Sequence, residues 1–417
     1  MDSTALFTND AIVLGLLVTI LAFVFRTASS DHPFWKRFYT FIPSLLLCYF
    51  IPSLLNSMGV ISGSESDLYF VASRYLLPAS LVLLTLSIDL KSTLRLGPKA
   101  VIMFLTGTVS IVLGGPIALF IVSLFRPDIL GGAGPEELWR GLSTIAGSWI
   151  GGGANQTAMF EVFQPSTDLF SAMVTVDIIV ANIWLGFLLY GAGISSKIDT
   201  LFSADNSAID ELKKKMESFQ MQSARTLNLP DMAMMVAIGF GLTGFSHLIA
   251  DWIAPWIGTH APLLKQLSLD STFFWIVVIA TTGGLAFSFT SLRNLEGAGA
   301  SKIGSMLLYV LVATIGMNMN LFSIFENPIY FVIGLLWILI HVGILLAVGK
   351  WIKAPFFFTA VGSQANVGGA ASAPIVASAF HPSLAPVGVL MAVLGYALGT
   401  YGAWLSALLM QWVSVAG

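Results

Sequence analysis

AGSWIGGGANQTAMFEVFQPS (residues 146–166) and VGSQANVGGAASAPIVASAFHPS (residues 361–383) follow one recipe. Each opens on Gly-Ser, reaches a glycine cluster, continues through small polar residues and closes on Pro-Ser, the match needing a two-residue gap. Both lie inside long apolar surroundings, yet both are broken by residues that do not favour an uninterrupted helix. Gly151, Gly152 and Gly153 permit positive φ and close approach of backbone to a ligand. Ser148, Asn155, Gln156 and Thr157 bring side-chain dipoles to the same turn. The second stretch offers Ser363, Gln364, Asn366, Gly368, Gly369 and Ser372, with Pro374 discouraging a continuous helix.

The surroundings identify the solvent. Of 417 residues, 56% are apolar and 10% charged, a balance outside the soluble class. A helix needs about 20 mostly apolar residues to cross the hydrocarbon core of a membrane. Such stretches occur at about 8–26, 38–57, 68–90, 99–125, 167–195, 231–256, 271–290, 301–324, 328–352 and 385–413. The glycine-rich segments, at about 136–163 and 355–380, are the exceptions. Unpaired backbone groups in lipid cost several kcal/mol each, so broken helices survive at membrane depth only against protein or a wet cavity.

A second ordered match supports a repeat. LLTLSIDLKSTLRLGP (83–98) resembles LVATIGMNMNLFSIFENP (311–328), pairing Thr85 with Thr314, Asp89 with Asn318 and, after one gap, Pro98 with Pro328. The polar stretch 196–230 separates the halves. Loop charge orients them, because Lys and Arg favour the cytoplasmic side. With the N-terminus outside and both glycine-rich segments re-entrant, 15 of the 19 basic residues fall inside; a twelve-span topology places only 12 there. Five crossings plus one hairpin per half then give inverted repeats whose tips approach one another near the midplane. The expected organisation is a first repeat over 1–195, a cytoplasmic linker over 196–230 with an amphipathic helix near 207–222, and a second repeat over 231–417. Both termini are then outside. The first span follows the acidic start MDSTALFTND and reads as a retained anchor, not a cleaved signal peptide.

Half-helix N-termini at such tips favour an anionic group, and exposed carbonyls suit sodium. The competing reading is that glycine and serine merely let helices pack closely. Asp177, midway along 167–195, is a candidate for binding a cation or carrying a proton, or is a structural carboxylate bonded to a neighbouring helix. Glu161 reads as a simple interfacial charge, and His247 and His341 as packed, hydrogen-bonded histidines. The lone Cys48 supports neither a disulfide nor a thiolate metal site. The net charge of -3 leaves no footprint for nucleic acid, and no HExxH, GxSxG or intramembrane aspartate pair points to an enzyme.

On GSWIGGGANQTA (147–158) and GSQANVGGAASAP (362–374), the chain resembles the YjcL-like (DUF819) family of bacterial membrane proteins, within the cation:proton antiporter and anion transporter superfamily. The same motifs look like the paired hairpins of sodium/glutamate symporters, and LTLSIDLKSTLRLGP (84–98) is similar to a segment of bile-acid-type sodium symporters. The resemblance implies a homodimer in the inner membrane, a scaffold holding a mobile transport domain that moves as an elevator, and hairpin tips that face substrate and ion. Gly151-Gly152-Gly153-Ala154-Asn155 departs from the glutamate symporters' Gly-Gly-His-Gly-Thr, which argues against glutamate as substrate. Neither tip carries an acidic residue. The expected function is sodium- or proton-coupled symport of a small carboxylate-bearing or amino-acid- or peptide-like solute, with sodium/proton antiport as the alternative and an intramembrane hydrolase as a third reading.

Overall fold

The computed structural model describes residues 5–42, 44–63, 65–89, 93–94, 96–204, 209, 227–261, 264, 269–317, 327–381 and 384–416. All of the expected amphipathic helix near 207–222 except residue 209, and Asn318 of the Asp89–Asn318 pairing, lie outside the described residues. Among those residues the fold is entirely helical, apart from one isolated bridge between Phe7 and Ile61.

The elements are α1 (Asp10–Ala28), α2 (Pro33–Phe41), α3 (Ser44–Ser57), α4 (Leu68–Val71), a π turn (Ala72–Leu76), α5 (Leu77–Leu86), α6 (Pro98–Ser123), α7 (Leu138–Phe163), α8 (Thr167–Gly193) and α9 (Ser195–Phe202). They continue with α10 (Leu229–His260), α11 (Thr272–Ser288), a 3-10 segment (Ser291–Ala298), α12 (Ala300–Gly316), α13 (Ile329–Trp351), α14 (Phe356–Val367), α15 (Gly369–Phe380) and α16 (Ala385–Ala416). Local chemistry sets several starts. Asn9 caps α1 by accepting from Ala11 N at 2.9 Å, and Ser166 caps α8 by accepting from Leu169 N at 3.2 Å. Gly97, at φ 98°, turns the chain into Pro98 at the head of α6.

Among the described residues seven helical stretches are long and apolar enough to cross a membrane, or eight if α11 and its 3-10 segment, bent by 95° from one another, count as one span. Two expected spans come out differently. The stretch 38–57 is divided between α2 and α3, because Ile42 precedes Pro43 and takes the extended conformation (φ -118°, ψ 103°) that a following proline imposes. The stretch 301–324 is helical as α12 to Gly316, and residues 318–326 lie outside the description.

The helices pack as two groups. The first contains α1, α3, α4, α5, α10, α11 and α12; the second contains α6, α7, α8, α13, α14, α15 and α16. Contact between the groups runs chiefly through α5 and α11 against α7 and α16. Each half of the chain contributes its earlier helices to the first group and its later ones to the second. α9 packs onto the second group, where the buried Asp199 Oδ1 accepts from Phe356 N at 2.7 Å.

Both glycine-rich segments fold back on themselves. In α7 the reversal is at Gly152 (φ 74°, ψ -173°), a conformation open only to glycine. A Cβ on Gly147 would come within 2.5 Å of Asn155 O, so the arms run side by side. Their outer ends are joined where Ser166 N donates to Pro135 O at 2.8 Å and Arg140 Nη1 to Phe163 O at 2.7 Å. The α14–α15 pair turns at Gly368 and at Gly369 (φ 59°), and its outer ends meet through Phe357 and Phe380, ring centroids 5.3 Å apart. Pro374, expected to interrupt the helix, lies within α15. The break falls instead at the two glycines, one of which takes positive φ.

The two hairpins enter from opposite ends of the bundle. α6, 26 residues or about 39 Å long, begins at the outer end of the α14–α15 hairpin, where Lys99 Nζ donates to Lys353 O at 2.9 Å. It finishes at the loop that leads into α7.

Candidate functional site

The tips meet. Gly152 and Gly153 of the first hairpin and Gly368 and Gly369 of the second line one cavity of about 1250 Å³ between the two helix groups. Its other wall comes from the first group and includes Ser301, Lys302, Tyr309 and the Asp89–Arg293 ion pair, 2.9 Å apart. The inner arm of each hairpin, running on from Gly153 and from Gly369, begins at this cavity. Two sets of helix N-terminal amides therefore face one space, a placement that favours negative charge.

The polar side chains of the motifs have a different place. Asn155, Gln156, Thr157, Ser363, Gln364 and Asn366 are all buried, and none of them lines the cavity. Asn155 Nδ2 donates to Gly151 O (3.0 Å) and Tyr396 O (3.4 Å), while its Oδ1 accepts from Thr400 Oγ1 at 2.6 Å. Asn366 Nδ2 donates to Gly362 O (2.9 Å) and Phe104 O (3.0 Å), and its Oδ1 accepts from Thr108 Oγ1 at 2.8 Å. Both asparagines fasten a hairpin to a neighbouring long helix. Gln364 Nε2 donates across the second tip to Ser372 Oγ at 2.6 Å. Gly151 packs against Asn155 and Gly395.

Ser363 belongs to a directed chain of hydrogen bonds. Trp184 Nε1 donates to Ser363 Oγ (2.8 Å), which meets His341 Nε2 at 2.8 Å, and His341 Nδ1 meets Ser110 Oγ at 2.7 Å. Ser110 places its one proton on Gly107 O at 2.7 Å, so it accepts from His341 Nδ1. Ser363 then donates to Nε2. Every donor in the chain has its acceptor, and His341 is a packed, hydrogen-bonded histidine, as its apolar setting suggests.

Asp177 is buried on α8 behind the first hairpin. Trp149 Nε1 donates to Oδ1 at 2.6 Å and Gln156 Nε2 to Oδ2 at 3.0 Å, with the Ser148 hydroxyl also in reach. These partners are neutral. A carboxylate at this depth is costly without a positive partner, and none of these supplies one.

Glu161 is not the interfacial charge its position suggests. It is 3% exposed, accepts from the Tyr69 hydroxyl and pairs with Arg74 at 2.9 Å. Arg74 sits in the π turn over the Phe273 ring, 4.6 Å from its centroid, and its carbonyl contacts His247 Nε2 at 2.9 Å. This cluster joins the first hairpin to the opposite helix group at the hairpin's outer end.

The sequence reading missed the partners of the two asparagines. Their signal is FLTGT (104–108) and YALGT (396–400): an aromatic residue, then Gly-Thr three residues on. In each, the aromatic carbonyl and the threonine hydroxyl bracket a glycine over which the asparagine lies. A family model described as "Protein of unknown function (DUF819)" matches residues 15–414. The chain belongs to the DUF819 family. It is also similar to the "Uncharacterized membrane protein YjcL" of Bacillus subtilis (strain 168), 25% identical over 378 residues that cover 85% of this chain and 88% of that protein. This DUF819 chain is thus an integral, multi-pass membrane protein, with both hairpins and all but the ends of α1 and α16 inside the region the family model matches.

Proposed function

We propose that this DUF819 protein is a cation-coupled secondary transporter of a small carboxylate-bearing solute, amino-acid- or peptide-like in size. One observation carries the reading: two glycine-tipped hairpins, entering from opposite ends, bring their tips to one cavity between two helix groups. The half-helix N-termini supply the anion-binding end of the site, and Asp177 supplies the place for the coupling sodium or proton. The group containing both hairpins is the mobile transport domain and the other is the scaffold, an elevator arrangement built from two inverted repeats. The protein works as a homodimer in the bacterial inner membrane, with both termini outside and the 196–230 linker cytoplasmic. It has no enzymatic activity in this reading.

A sodium/proton antiporter is the second reading, favoured by a buried Asp177 whose partners are all neutral. One experiment separates the two. Thermal stabilisation of the purified protein is measured against a panel of small carboxylates and amino-acid-like solutes, each in sodium and in potassium. A solute that stabilises only with sodium, and whose effect is lost in Gly369→Val, supports the symporter. Stabilisation by sodium and pH alone, abolished in Asp177→Asn, supports the antiporter. Release of a product from any solute would support a hydrolase instead.

A further inference from the structure

Two buried oxygens close to Asp177 have no hydrogen-bond partner. One is Gln156 Oε1, whose amide nitrogen is already committed to the carboxylate. The other is the hydroxyl of Tyr49 on α3, which has no partner at full hydrogen-bond geometry and whose polar surroundings include the Thr157 hydroxyl, a weak contact, and the Asp177 carboxylate. Both residues are 0% exposed. Unpaired polar atoms this deeply buried are rare in native proteins and call for an explanation. Thr157 has placed its proton on Gly153 O at 2.9 Å, so its oxygen offers only lone pairs to its surroundings. Asp177 takes one N–H on each oxygen and retains lone pairs on both.

We propose that Tyr49 supplies one oxygen of a dehydrated monovalent-cation site whose other oxygens come from Asp177, Gln156 and Thr157. The inference rests on the coupling-ion reading of Asp177 and adds a ligand that the hairpin motifs do not contain. The chemistry is that of a hard, singly charged ion: one carboxylate balances one positive charge, and the remaining donors are neutral oxygens. Calcium takes more oxygen ligands and usually more carboxylate, and a thiophilic metal finds no sulfur or imidazole ligand in this set. An ion there also removes the uncompensated charge and satisfies both orphan oxygens.

Tyr49 differs from the other ligands in one respect. It stands on the first helix group, whereas Asp177, Gln156 and Thr157 stand on the second. The site is complete only while the groups hold their present relation, so ion binding favours this arrangement by the difference in affinity between states. Tyr49 thereby links ion occupancy to the position of the hairpin group.

The test is sodium-dependent thermal stabilisation of the purified full chain, with choline chloride holding the ionic strength constant. Wild type is stabilised by sodium chloride. Tyr49→Phe keeps the ring and removes only an unpaired hydroxyl, so its melting temperature without sodium does not fall. Its half-saturating sodium concentration rises by about tenfold, the loss expected from one good oxygen ligand. Asp177→Asn abolishes the response, and Thr157→Ala takes its place should that variant fail to fold. If Tyr49→Phe binds sodium like wild type while Asp177→Asn does not, the Tyr49 assignment is overturned and the coupling reading stands. If wild type ignores sodium but responds to pH through Asp177, the site is a proton site and the ligand set is overturned. If neither sodium nor pH acts through Asp177, the coupling reading fails with it.

Discussion

Asn155 and Asn366 make the same three hydrogen bonds, although one follows its hairpin's reversal and the other precedes it. Each donates to the carbonyl four residues back on its own arm and to an aromatic residue's carbonyl on a crossing helix, and each accepts from a threonine one turn further along that helix. One clamp ties the first hairpin to α16, and the other ties the second to α6. Both fasten elements within the hairpin-bearing group, so they hold it together as a unit.

Replacing either asparagine by alanine removes three buried hydrogen bonds; Thr400 loses its acceptor Asn155 Oδ1, while Thr108 keeps only a longer bond to Phe104 O at 3.3 Å. Each variant should lose about 1–3 kcal/mol of stability, read as a lower melting temperature in detergent with no solute present. A pure ligand-binding role predicts no such loss.

The glycines beneath the clamps are a separate test. A Cβ at Gly399 would lie 2.5 Å from Asn155 Cγ and 2.7 Å from Gly151 Cα, with backbone unable to give way. Gly399→Ala should cost about 1–3 kcal/mol through overpacking, and Gly107→Ala should behave alike. Gly241 on α10 has nothing within 4 Å of its Cβ position. Gly241→Ala should leave the melting temperature unchanged or raise it.

At the first tip the constraint is backbone conformation, since a Cβ on Gly152 would meet nothing nearer than Tyr396 Cε1 at 3.9 Å. The φ of 74° with ψ of -173° excludes side chains all the same. Gly152→Ala should destabilise by about 1–3 kcal/mol from strain alone. Gly369, at φ 59°, lies in the left-handed region that asparagine tolerates. Gly369→Asn should therefore retain more stability than Gly369→Val, as measured by thermal unfolding of the two variants side by side.

The Glu161–Arg74 pair crosses between the helix groups. Arg74 is 26% exposed, which moderates the cost of leaving it alone, and Glu161→Gln should destabilise by about 1–3 kcal/mol. The double variant with Arg74→Gln should cost clearly less than the sum of the singles in denaturation measurements, because both remove one interaction. Additive losses would mean that the pair contributes nothing as a pair.

Hydrophobic length, glycine clusters and loop charge were enough to read helices, membrane and two folded-back segments from the amino-acid order, because each is a local or compositional constraint. Lipid demands internally paired backbone, and Gly152 and Gly369 occur where the chain takes positive φ, at Gly152 in a conformation closed to other residues and at Gly369 in one that disfavours most of them. The break between α2 and α3 was equally local, signalled by Pro43, but apolar length masked it.

What the order of residues did not reveal was which polar groups are structural. Asn155 and Asn366 read as ligands because polar residues at membrane depth need partners. Those partners, Thr400 and Thr108, lie 245 and 258 positions away and come close only when long helices cross. Glu161 read as an exposed charge until its hairpin buried it against Tyr69 and Arg74. Tyr49 gave no signal, since a tyrosine in an apolar span is ordinary until its hydroxyl is seen without a partner beside Asp177. Sequence alone determined the helices, their membrane setting and the points at which the chain reverses, since those follow from bonds and sterics within a few residues. Which side chains meet, and so which polar groups bond one another in the buried interior, was decided only by tertiary packing, where contacts join residues hundreds of positions apart.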